Sequence, residues 1–208
     1  MRVVAISDIH NRQKDINLPS GDMLAIAGDW TSGGTLKEVT AFGGWLHKIQ
    51  NQFRHIVLVA GNHDELAATQ PLLLTGILPR SVHYLRDTTV QIEGKIIHGS
   101  PWSPVYGRWD FMAELPEREQ YLSLIPAYCD LLISHGPALG ILDRTSSGEL
   151  AGCSVLRGSL EEKTIKNLIC GHIHEGHGRV VYGNTNCYNV SVLDENYNLV
   201  NQPTVFDI

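Results

Sequence analysis

His55-Ile56-Val57-Leu58-Val59-Ala60-Gly61-Asn62-His63-Asp64 runs from an apolar segment into an amide, an imidazole and a carboxylate. A short apolar run closed by glycine reads as a buried strand. Proteins that alternate strands and helices place their chemistry at the carboxyl ends of such strands. Gly61 permits a sharp turn and close approach of backbone to a ligand. The three residues after it offer an oxygen ligand, a proton carrier and an acid. Alone, the tetrapeptide also fits an ordinary turn, since Gly, Asn and Asp populate turns for local reasons.

The same design recurs along the chain. Val3-Val4-Ala5-Ile6 reads as a strand and delivers Ser7-Asp8-Ile9-His10. The two-residue spacing of Asp8 and His10 puts both on one face of an extended chain. Asp22 to Ala27 is a second strand and closes on Gly28-Asp29. Apolar residues at near-helical spacing from Leu36 to Phe53 predict a helix before the opening stretch. A weaker helix is expected among Leu72, Leu73, Leu74 and Ile77, between Pro71 and Pro79.

Val82 to Leu85, Thr89 to Ile92 and Lys95 to His98 then read as strands, the last two joined through Glu93-Gly94 as a hairpin. Glu114 to Leu124 is expected as a surface helix and Asp130 to Ser134 as a strand ending at His135. Leu160 to Thr164 reads as helical. Asn167 to Cys170 is a strand closing on Gly171-His172-Ile173-His174, and Gly178 to Tyr182 with Cys187 to Val190 forms a terminal hairpin. So many strands with so few helices predict an α/β fold of two packed mixed sheets flanked by helices.

The chain has 208 residues and is 43% hydrophobic, which suits one domain over residues 1–208. The formal net charge is -6 and no Lys/Arg stripe is present, which disfavours a nucleic acid polymer as partner. Cys129, Cys153, Cys170 and Cys187 form no CxxC pair, as in a reducing cytoplasmic setting. The apolar run at Met1 to Ile6 is too short for a signal peptide or a membrane span. A soluble cytoplasmic protein is expected, with no membrane partner, and the oligomeric state is left open.

The strand ends together supply Asp8, His10, Asp29, Asn62, His63, His135, His172 and His174. These are oxygen and nitrogen donors without a thiolate. They suit manganese, iron or zinc and, less well, magnesium, in sufficient number for two divalent ions. Two such ions bring four positive charges, of which Asp8 and Asp29 remove two. The balance attracts an anion, and a small phosphate ester is the obvious substrate.

The ordered set Asp8-Ile9-His10, Gly28-Asp29, Gly61-Asn62-His63-Asp64, His135 and Gly171-His172-Ile173-His174 resembles the calcineurin-like metallophosphoesterases over essentially the whole chain. Gly99-Ser100-Pro101-Trp102, Ser134-His135-Gly136-Pro137, Glu175-Gly176 and the ending Pro203 to Asp207 are similar to the small cap-less branch containing the mammalian metallophosphoesterase-domain proteins. The resemblance implies a four-layer α/β/β/α sandwich. It implies that Asp8, His10 and His174 hold one metal, that Asn62, His135 and His172 hold the other, and that Asp29 bridges them. Manganese is the favoured metal, with iron, zinc, magnesium and nickel open. It also implies attack by a hydroxide held between the ions, with His63 protonating the leaving alkoxide. Imidazole is the side chain suited to carrying a proton near neutral pH.

After Gly28-Asp29 the protein-phosphatase branch carries an acid and an arginine, whereas this chain has Trp30-Thr31-Ser32. Without that bidentate partner a monoester's extra charge is poorly held, which favours small phosphodiesters such as cyclic nucleotides. The alternatives are a phosphomonoesterase of the same fold and a protein-binding scaffold like the retromer-type relatives. A DNA-processing nuclease is disfavoured by charge and length.

Other polar residues read as structural. His47, His55 and His83 are assigned no ligand role, Trp102 is expected to pack, and Asp143 is read as a turn residue. His98 and His177 lie near motif loops, so pocket and surface placements both remain. Asp64 has no assigned role, and what orients His63 is left unassigned because strand neighbours point apart.

Overall fold

The computed structural model describes residues 1–208. The first half runs β1 (Arg2–Ile6), β2 (Met23–Ala27), α1 (Leu36–Ile49), β3 (His55–Val59), α2 (Glu65–Thr69), α3 (Pro71–Ile77), β4 (Val82–Tyr84), β5 (Thr88–Ile92) and β6 (Lys95–Ser100). The second half runs β7 (Ser103–Pro104), β8 (Met112–Ala113), α4 (Leu115–Ser123), β9 (Tyr128–Cys129), β10 (Leu131–Ser134), α5 (Ser154–Glu162), β11 (Thr164–Ile165), β12 (Asn167–Cys170), β13 (Gly178–Tyr182), β14 (Thr185–Asn189) and β15 (Thr204–Asp207).

Two mixed sheets result, ordered β15-β1-β2-β3-β4 and β13-β14-β12-β10-β6-β5. In the first, β1 to β4 are parallel and β15 closes the edge antiparallel to β1. In the second, β14, β12, β10 and β6 are parallel, with antiparallel β13 and β5 at the two edges.

Period-two alternation sorts the first sheet's side chains into two layers. Val3, Ala5, Met23, Ala25, Val57 and Val59 point between the sheets and meet Ile97, Leu131, Ile133 and Ile169. Val4, Ile6, Leu24, Ile26, Ile56 and Leu58 point outward onto α1, through Val39, Phe42 and Leu46. On the far side Leu132, Leu168 and Cys187 meet Leu122 of α4 and Leu156 and Leu160 of α5. The order of layers is therefore helix, sheet, sheet, helix, as anticipated. Both faces of the parallel strands are covered, which is why they read as continuous apolar runs.

α1 begins where Thr35 and Glu38 form a reciprocal capping box. It stops at Ile49 rather than reaching Phe53; Phe53 lies in the following turn yet is buried in the same core, so its spacing mimicked another helical turn. The charged helix begins earlier than expected, at Ser154, and Thr164 already belongs to β11. The short strands β7, β8, β9 and β11 were not anticipated, being too brief to show a period, nor was β15. In β15, Phe206 stacks on Tyr188 at 4.5 Å between the sheets.

His98 is fully buried on β6, where it meets Thr89 Oγ1 at 2.9 Å through Nδ1, so it is neither a surface nor a pocket residue. Burial, helped by the charge of Lys163, pushes its imidazole down from 6.5 to about 4. An unfolded chain protonates such a histidine first, so the stability it contributes is present above pH 6.5 and lost as pH falls towards 4. The full span is worth at most about 3 kcal/mol at the conversion from pKa to free energy. Urea unfolding at pH 7 and pH 4.5 is expected to show a smaller acid loss in His98→Gln than in the parent. Equal losses would show that His98 is not the titrating group.

Candidate metal centre

The carboxyl ends of β1, β2, β3, β10 and β12 converge on one edge of the two sheets. They bring together Asp8, His10, Asp29, Asn62, His63, His135, His172 and His174. Three overlapping groups have donor atoms within 4.8 Å of one another: Asp8 with His10 and His174, Asp29 with His135 and His172, and His10 with Asp29 and His63. Asp29 belongs to two of the three.

The backbone at this edge is unusual. Asp8, His10, Asp29 and His172 all have positive φ, at 55°, 41°, 50° and 67°. Left-handed conformations cost non-glycine residues about 1–3 kcal/mol each, and such strain collects at functional sites. β1 ends at Ile6 and β12 at Cys170, so Asp8 with His10 and His172 with His174 are paired by left-handed turns, not by strand alternation. Glycine is required at two close approaches. A Cβ on Gly61 would fall on Asp29 Oδ1, and one on Gly171 on Asp8 Oδ2.

His10 Nε2 lies 3.7 Å from Asp29 Oδ2, His135 Nε2 lies 3.4 Å from the same oxygen, and His174 Nε2 lies 3.5 Å from Asp8 Oδ1. Backbone carbonyls fix two ring orientations. Ala27 O accepts from His135 Nδ1 and Asp194 O from His174 Nδ1, each at 2.8 Å, which turns both Nε2 atoms into the cage. Metal-ligating histidines are commonly oriented through their other ring nitrogen in this way. Asn62 Oδ1 is 3.0 Å from His135 Nε2.

Without metal, the charges pair within the cage. Burial opposes charge on every group. Even so, Asp29 lifts His135 to about 9, the carboxylate of Asp8 lifts His174 to about 9, and Asp8 is held down to about 2 by His174 and His135. Asp29 is held well below the carboxylate range by His135, against its burial. His172 is pushed down to about 3 by burial and by the nearby His135.

The residues fit divalent metal. Both ring nitrogens of buried His10 and the Nδ2 of buried Asn62 lack any hydrogen-bond partner. An unpaired buried polar atom costs about 1–3 kcal/mol, and an ion ligated by His10 would remove part of that cost. The donor set contains nitrogen and oxygen alone, and no exposed acidic cluster is involved.

Several supporting residues had no sequence signal. His63 Nδ1 donates to the Ser32 carbonyl at 2.7 Å, which leaves Nε2 facing the cage and supplies the missing orienting group. Asp64, which had no role in the sequence, is fully buried and organises that loop. It accepts from Thr31 N at 3.0 Å, Thr31 Oγ1 at 2.7 Å and Gly61 N at 2.8 Å. Burial and the charge of Asp29 push its carboxyl up to about 8. Asn189 donates to Ile173 O at 2.7 Å and braces the His172–His174 turn.

The residues set aside as structural behave so. His47 is exposed, Trp102 stacks on Tyr121 at 4.1 Å while donating to Asp87, and Asp143 Oδ2 accepts from Gly140 N and Gly152 N at 2.9 Å. Trp30 opens the run Trp30-Thr31-Ser32-Gly33-Gly34, which carries no clamp arginine. It is buried, stacked on Phe42 at 4.8 Å, and donates to Val59 O. Its place is in the core.

A nitrogen- and oxygen-lined cage suited to divalent metal thus sits at the shared strand edge of a four-layer α/β/β/α sandwich. The model of the calcineurin-like phosphoesterases matches residues 1–176, and the chain belongs to that family of metal-dependent phosphoesterases. It is 34% identical over 235 residues to human metallophosphoesterase domain-containing protein 1, covering all of this chain and 71% of that protein. A UPF0046 protein of Caenorhabditis elegans is also 34% identical, over 241 residues, and is covered to 60% of its length. One solved crystal structure superposes with a TM-score of 0.67 at 16% identity, covering 90% of this chain and 89% of its own, which supports the fold. No helix is long and apolar enough to cross a membrane.

Proposed function

We propose that this chain, acting as a single domain over residues 1–208, is a two-metal phosphoesterase that hydrolyses small phosphodiesters, cyclic nucleotides among them. The observation that carries the reading is the position of Asp29 between the two candidate ligand sets, its Oδ2 lying 3.7 Å from His10 Nε2 and 3.4 Å from His135 Nε2. Asp8, His10 and His174 would hold one ion, Asn62, His135 and His172 the other, and Asp29 both. Manganese is the favoured occupant, with iron, zinc, magnesium and nickel open. Bound divalent ions supply Lewis-acid polarisation of the phosphoryl oxygens and acidify a water to a pKa of about 7.

In the overall reaction water adds to phosphorus and one P–O ester bond breaks, giving a monoester and an alcohol. His63 is held by Ser32 with Nε2 turned into the cage, the position from which a proton passes to the departing alkoxide. Trp109 packs against the His63 ring, with centroids 4.2 Å apart. Diesters are favoured because the ion pairs of Asp8 and Asp29 are all with cage histidines and the run Trp30 to Gly34 carries no clamp arginine. A second phosphate charge would therefore have no bidentate partner. Four buried free cysteines fit a reducing cytoplasmic compartment, and the net charge of -6 disfavours a nucleic acid polymer.

The test is a panel of 2′,3′- and 3′,5′-cyclic nucleotides, open diesters and monoesters with manganese-loaded protein. Diesters are expected to exceed monoesters at least about tenfold in kcat/KM, a difference of about 1.4 kcal/mol. A chelator should abolish both activities. Monoester preference would overturn the diester assignment, and no metal-dependent hydrolysis of any ester would favour a binding scaffold.

A further inference from the structure

A cavity of about 470 Å³ opens on the His172 flank of the cage, walled by Val105, Tyr106, Leu150 and Ile173 with Thr145 and Glu149 at its rim. Its lining includes His172 but neither His63 nor Trp109. His63 and His172 fall in different donor groups that meet at Asp29, so the cavity and the proton donor flank the reaction centre separately. Tyr106 is 53% exposed and its ring centroid lies 5.5 Å from that of His172. Tyr106 and Trp109 share one short loop, set by the β7–β8 pairing and turned at Gly107, where φ is 67°. One aromatic side chain of this loop therefore stands over each flank.

We propose that the cavity is the subsite for the ester group that stays on phosphorus, and that it selects an uncharged alcohol with a planar or apolar face. This rests on the two-metal phosphodiesterase reading. The leaving oxygen must sit within hydrogen-bond reach of His63. A diester's other substituent then lies away from His63, on the flank where the cavity opens. No lysine or arginine lines that cavity, and Glu149 at the rim repels an anion. The nearby Arg144 is turned away and donates to Gly148 O at 2.8 Å. Such walls reward burial of a ring or an aliphatic face and give a second phosphate nothing to bind. A monoester has no group to place there, so the cavity would give diesters binding energy that monoesters cannot use.

The experiment holds the leaving group constant. p-Nitrophenyl phosphate esters carrying no second group, a methyl or a phenyl are compared on manganese-loaded protein, wild type, Ala151→Trp and Tyr106→Ala. Ala151 also lines the cavity, so tryptophan there fills it, while Tyr106→Ala removes a wall. The phenyl ester is expected to exceed the methyl ester about tenfold in kcat/KM in wild type, with the ratio falling towards one in both variants. Binding is read separately by calorimetry with benzyl(methyl)phosphinate and dimethylphosphinate, which have no ester bond to hydrolyse. The same tenfold preference and the same loss are expected. A phenyl or benzyl preference that survives both substitutions, or is absent in wild type, overturns the subsite. Binding preference without hydrolysis of any ester would instead overturn the phosphodiesterase reading and leave the cavity as a binding site.

Discussion

Asp29→Asn will leave a folded protein that retains little divalent metal and hydrolyses phosphate esters about 10³-fold more slowly or worse. Asparagine suits the position because it tolerates the left-handed backbone, with φ of 50°, and still presents an oxygen to the His63 amide at 2.8 Å. What it removes is one of the two negative charges in the cage, shared with His10 at 3.7 Å and His135 at 3.4 Å. A single preorganised charge or donor in a dry site is worth roughly 10²–10³ in rate, and a group common to two ligand sets should exceed that scale. Metal content after dialysis and kcat/KM on a diester are the measurements. Full metal content with normal turnover would remove Asp29 from the centre of the account.

His63→Gln is expected to behave differently. Metal content stays at the wild-type level while kcat falls by about 10²–10⁴, the usual worth of a positioned general acid. The loss should be larger for alkyl leaving groups, which need a proton, than for p-nitrophenolate, which does not. The structure makes the comparison sharp. The His63 ring is held at Nδ1 by a backbone carbonyl and is only half-buried beneath Trp109, whereas His135 and His174 are buried and close to carboxylates. Equal losses for all leaving groups would argue against proton donation. Loss of metal would make His63 a ligand.

Much of the fold was legible in the chain because the parallel strands are covered on both faces. Val3 to Ile6, Met23 to Ala27 and Ile56 to Val59 therefore read as uninterrupted apolar runs, each handing polar residues to the same edge. The eight donor residues could be collected from those endings together with the ends of Leu131 to Ser134 and Asn167 to Cys170. Less was legible where backbone atoms do the positioning. Ser32, Ala27 and Asp194 orient His63, His135 and His174 through carbonyls, which any residue type supplies. The pairing of Asp8 with His10 was anticipated for a different reason, since strand alternation and a left-handed turn give the same two-residue spacing. Asp64 could be given no role from the chain because its partners, Thr31 and Gly61, are distant in sequence or backbone donors. Tyr106 and Trp109 gave no signal because a short loop carries no period.

The central claim is a pair of ions held around Asp29. Metal-free protein titrated with manganese, dialysed, and analysed for metal content and by electron paramagnetic resonance tests it most directly. Two ions about 3.5–4 Å apart interact magnetically. Two equivalents of manganese per chain with an exchange-coupled spectrum are expected, with loss of that spectrum in Asp29→Asn. One equivalent with the signal of an isolated ion, or no retained manganese, would contradict the central claim.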